Sequence, residues 1–144
     1  MNTRFSHILL LVLFLGQIQA RADEFDSQSF LGMTSGNNVG AAITRGEKSK
    51  KRVLVFAYDE KKKNQAFHIK GMLELEETKK LVRQHFILVI TDFKDRNIRD
   101  VIGSEGTERP MYFLFNPDGS LVQKGTAAVG PSVGAKLVKE WTSK

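Results

Sequence analysis

The chain has 144 residues, 41% hydrophobic and 26% charged, with a formal net charge of +6 and no cysteine. That balance describes one ordinary globular domain behind a short N-terminal segment, not a disordered or membrane chain. The missing cysteine excludes thiol nucleophiles, disulfide exchange, thiolate metal ligation and cysteine-held iron–sulfur clusters.

Residues 1–22 read as a signal peptide. Arg4 gives a positive start, Ile8 to Leu15 form an apolar run, and Ala20-Arg21-Ala22 offers small residues at both positions of a cleavage site. The run is too short to cross a bilayer, which takes about 20 apolar residues, so no transmembrane anchor is expected after cleavage. The mature chain then starts at Asp23. Without Arg4 and Arg21 its 22 basic residues fall to 20, against 16 acidic ones, or +4. Export follows, and the short signal segment favours a bacterial periplasm over an extracellular space.

Residues 23–40 (DEFDSQSFLGMTSGNNVG) are polar, rich in Gly, Ser and Asn, and predict a flexible leader. The domain is expected over 41–144. It opens on a short helix from Ala41 that runs into the basic stretch Arg45–Arg52. Val53–Tyr58 is a continuous apolar run rich in β-branched and aromatic residues, as a strand buried on both faces requires. Asp59–Asn64 is polar and leaves the core. Ile69, Met72 and Leu73 follow helical spacing from Gln65, with an interruption at Gly71, and Leu75–Arg83 continues as a second amphipathic helix. His85–Ile90 is the next strand, which completes a βαβ unit. Arg96–Ile102 is a short helix and Met111–Phe115 a strand. Asn116-Pro117-Asp118-Gly119 is a turn into a hairpin partner at Leu121–Lys124. Val133–Trp141 closes the chain as an amphipathic helix, with Ser132 as its expected N-cap. The order β-α-β-α-β-β-α predicts an α/β fold, a mixed central sheet with helices on both faces.

That order resembles the thioredoxin-like superfamily, in the form of its exported, periplasmic-type domains. The segments that carry the resemblance are KRVLVFAY, LVRQHFILVITDF, ERPMYFLFNPDGSLV and GPSVGAKLVKEW. It implies a redox motif of two cysteines shortly after the first strand, which would fall at Lys61-Lys62-Lys63-Asn64, give or take a residue. Lys61 and Asn64 then stand where paired thiols would be. It also implies a buried acid within the preceding strand, where this chain has Leu54-Val55-Phe56. Pro110 matches the family's cis-proline, and Arg109 precedes it beside the loop.

With neither thiols nor their acid, dithiol oxidoreductase activity is not expected, and no catalytic residue is assigned. No cofactor-binding or metal-binding residue is assigned either. His68 and His85 lack partners at ligand spacing, DFKDRNIRD lacks the glycine and glutamate of a calcium loop, and IGSEGTE lacks a phosphate-loop lysine. The expected function is a binding or accessory module that holds a protein or peptide, with an acidic partner compatible, through Lys61, Lys62, Lys63, Asn64, Arg109 and Pro110. The bland reading of the same lysines is a solvated loop. The second basic cluster, Arg45–Arg52, lies one strand length away, about 20 Å, so the two do not form one nucleic-acid face. Two other roles stay open: an accessory protein of a thiol–disulfide pathway, and a structural or assembly protein of the envelope.

Overall fold

The computed structural model describes residues 24–143, and the expected signal peptide and its cleavage site lie outside them. In chain order the elements are α1 (Ser27–Leu31), α2 (Val39–Ser49), β1 (Arg52–Ala57), α3 (Gln65–Met72) and α4 (Glu76–His85). β2 (Phe86–Thr91), α5 (Arg96–Ile102), β3 (Met111–Phe115), β4 (Leu121–Thr126) and α6 (Gly130–Thr142) follow. The four strands form one sheet in the order β2-β1-β3-β4. β1 runs parallel to β2, with Val53 opposite Ile87, and antiparallel to β3, with Val55 opposite Phe113.

The continuous apolar runs are explained by a core on each face of this sheet. Alternate residues of a strand point to opposite sides. Leu54, Phe56, Tyr112 and Leu114 pack with Ile69, Met72, Val82 and Val138 from α3, α4 and α6. Val53, Val55, Phe113 and Phe115 pack with Val39, Ala42 and Ile98 from α2 and α5. The expected mixed sheet with helices on both faces is therefore the architecture observed. No helix among the described residues is long and apolar enough to cross a membrane.

Three local expectations need correction. Residues 24–40 are not a flexible leader. Phe25, Leu31 and Val39 are buried, Asp26 caps α1 through Ser29, and Asn38 caps an α2 that starts before Ala41. Gly36 adds a parallel bridge to the outer edge of β2, donating its N–H to the Leu88 carbonyl and accepting from Ile90. The segment folds because an edge strand offered unpaired backbone groups and Tyr58 offered a hydroxyl to the Phe25 N–H at 3.0 Å.

The N-cap of α6 is Val129, and Ser132 sits inside the helix, because Pro131 suits its first turn. The bond before Pro110 is trans, since no described peptide bond is cis. Pro110 is buried after a bend over residues 107–109, and its carbonyl accepts the Ala127 N–H at 2.8 Å, with the bond before it in the trans form that X–Pro bonds ordinarily prefer.

Candidate functional site

β1 delivers the chain to the end of the sheet at Ala57, and six polar residues turn it into α3. Asp59 organises that turn. Its side chain accepts from the Lys61 N–H at 3.0 Å, and its carbonyl accepts from the Lys62 N–H at 3.1 Å. Asn64 closes the turn in the left-handed region, at φ 73°, which asparagine tolerates better than most residues. α3 then begins at Gln65.

Gln65 is buried at 3% exposure and ties two loops together. Its Oε1 accepts the Asp59 N–H at 2.7 Å, and its Nε2 donates to the Thr107 carbonyl at 3.1 Å. Lys62 reaches the same carbonyl at 3.4 Å and pairs with Glu108 Oε1 at 2.8 Å. Two side chains three residues apart thus converge on one backbone oxygen of the loop that leads to Pro110. The pair doing so is Lys62 and Gln65, one residue along from Lys61 and Asn64. Which side chains meet at that carbonyl depends on the Asp59 turn. Lys62–Glu108 is a surface ion pair, with side chains 35% and 84% exposed, and contributes at most about 1 kcal/mol.

The expected residues are brought together only in part. Lys61, Lys62, Lys63 and Asn64 line one depression of about 320 Å³, together with Tyr58, Glu60, Ala66, Phe67 and Lys70. Arg109 and Pro110 do not line it. Arg109 is exposed next to Glu108, and Pro110 is buried. Phe67 was not anticipated, yet its side chain is 69% exposed at the mouth of the depression. Helical spacing from Ile69 already turns position 67 away from the core, which is the signal that could have marked it.

On the other side of Glu60 a wider, open hollow of about 660 Å³ is lined by Glu24, Asp92, Tyr58 and the 35–37 segment. Burial raises the Tyr58 hydroxyl above the ordinary phenol range. The Phe25 N–H pulls it back, and the Glu60 and Glu24 carboxylates push it further up. Among the described residues no group of three or more histidine, aspartate or glutamate side chains is placed to hold a metal ion.

A disulphide isomerase from Xylella fastidiosa Temecula1 superposes with a TM-score of 0.58 at 18% identity, over 73% of this chain and 88% of its own. A thioredoxin from Thermus thermophilus gives 0.61 at 12% identity, over 78% and 90%.

The fold is thioredoxin-like.

DsbH oxidoreductase is similar in the same way, with a TM-score of 0.56 at 14% identity over 74% of this chain and 82% of its own. No family model and no curated protein matches the chain. This thioredoxin-like domain has no cysteine anywhere, so it has no C-x-x-C motif and no dithiol to oxidise or reduce. Its first strand carries Leu54, Val55 and Phe56 fully buried with no acid among them.

Proposed function

We propose that the chain is an exported, redox-inactive thioredoxin-like module that holds a protein or peptide partner at the surface around Lys61–Asn64 and the loop ending at Arg109–Pro110. The observation that carries this reading is the convergence of Lys62 and Gln65 on the Thr107 carbonyl. It ties the turn before α3 to the loop before β3 through a buried amide and an ammonium group, which supports a partner surface that draws on both segments. The exposed lysines at its edge suit recognition of an acidic partner, and with no cysteine in the chain dithiol exchange is not expected there. A periplasmic address belongs to the same proposal, and rests on the signal-like segment at residues 1–22.

Photo-crosslinking tests it. A photoreactive residue at Lys63 should give one discrete heterocomplex in the native envelope fraction, whereas the same residue at Lys48, at the opposite end of the domain, should not. Equal adducts from both positions, or none from Lys63, would refute the proposed surface. Insulin reduction by the purified chain should stay at the level of the blank.

A further inference from the structure

The depression beside α3 combines two features that together specify a partner's chemistry. The first is charge. Lys61, Lys62, Lys63 and Lys70 all line it, and Glu60 is the one carboxylate among its lining residues. Lys62 is held by Glu108, while the salt bridges found among the described residues engage none of Lys61, Lys63 or Lys70. Three ammonium groups are therefore left to an outside anion. The second is Phe67, the most exposed of the large hydrophobic side chains among the described residues and the one aromatic in that group. A lone exposed apolar side chain is ordinary. This one stands on the rim of a concave, cationic site, where an aromatic ring serves as an anchor point.

From these features, and resting on the reading that this surface binds a partner, we infer that the depression takes an acidic peptide segment carrying one aromatic or large aliphatic side chain. That side chain lies against Phe67, and its flanking carboxylates meet Lys61, Lys63 and Lys70. A basic surface with an aromatic side chain also suits an anionic membrane. The concave shape, the carboxylate of Glu60 within it, and the presence of one aromatic instead of a stripe favour a peptide. Lys62 takes a different part: its ammonium is engaged by Glu108 and the Thr107 carbonyl, so it is not free to meet the peptide.

The test is a titration of the purified chain, followed by backbone amide NMR and fluorescence anisotropy. The probes are a short fluorescein-labelled peptide with one phenylalanine among four glutamates, a counterpart with lysines for the glutamates, and phosphatidylglycerol vesicles. The acidic peptide should shift amides between residues 61 and 70. Its affinity should fall at least about tenfold in Phe67→Ala, and similarly in the double variant Lys61→Glu, Lys63→Glu. It should also weaken steeply as salt rises toward about 1 M, where screening reaches about 3 Å. Both variants alter exposed side chains, and circular dichroism should show them folded. Equal shifts with the lysine peptide would overturn the acidic-partner inference and leave the binding surface standing. Binding to vesicles without binding to the acidic peptide would overturn it in favour of a membrane. No shift at residues 61–70 with the acidic peptide also overturns it, and the Lys63 crosslink then reports separately on whether the surface binds a protein.

Discussion

Replacing Gln65 with leucine keeps a buried side chain of similar size and removes both hydrogen bonds that join the turn before α3 to the loop before β3. The two backbone groups fare differently. The Thr107 carbonyl keeps Lys62 as a partner, and its residue is exposed to water. The Asp59 N–H loses its partner in a half-buried setting, which costs about 1–3 kcal/mol, and the second lost bond adds about 1. Burying leucine in place of an amide returns about 1–2 kcal/mol. The net expectation is a destabilisation of about 0–3 kcal/mol, and its centre at about 1.5 kcal/mol lowers the melting temperature by roughly 4–8 °C in a domain of this size. Hydrogen exchange gives the local readout: the Asp59 amide should exchange about tenfold faster or more, while amides in β1 keep their global protection. Gln65→Glu retains an acceptor for the Asp59 N–H, so that amide should stay protected even though the bond to Thr107 is lost. An unchanged melting temperature together with an unchanged Asp59 amide in Gln65→Leu would show that Gln65 does not couple the two loops.

Gly134→Ala should destabilise although alanine is the better helix former by about 1 kcal/mol. The added Cβ would overlap the Met72 carbonyl oxygen and sit 2.8 Å from Met72 Cγ, so α6 and α3 must separate. A net loss of about 1–3 kcal/mol in urea unfolding is expected, and a gain would contradict this packing. Asp95→Ala removes the cap of α5 and the acceptor for the Val39 N–H at 3.3 Å, and should cost about 1–2 kcal/mol by thermal melting. An unaltered melt would show that neither contact matters. Burial, the largest cause at both sites, raises the two tyrosines, Tyr58 and Tyr112, above the ordinary phenol value. The folded state therefore holds their protons more tightly than the unfolded chain. Their contribution to stability is complete below about pH 10, and is lost as pH rises through the folded values. Ultraviolet titration should show phenolate only above that pH, and an ordinary titration of both would contradict their burial.

Much of this molecule was legible before folding. Arg96–Ile102 and Met111–Phe115 have the bounds that the sequence predicts, because helical spacing and an unbroken apolar run each state their partner surface locally. The turn at Asn116–Gly119 carries its own backbone chemistry, and a count of cysteines settles the absence of dithiol exchange. What lay beyond the sequence depends on partners far along the chain. Phe25, Leu31 and Val39 follow no single period, so the 24–40 segment reads as a linker. It packs against the assembled sheet, where Tyr58, Leu88 and Ile90 supply hydrogen bonds and the two cores bury Phe25, Leu31 and Val39. The register of the candidate site was likewise a tertiary matter. The polar run Asp59–Asn64 has no periodicity to choose which side chain faces inward. The Asp59 turn and the Thr107 carbonyl, 42 residues beyond Gln65, made that choice in favour of Lys62 and Gln65.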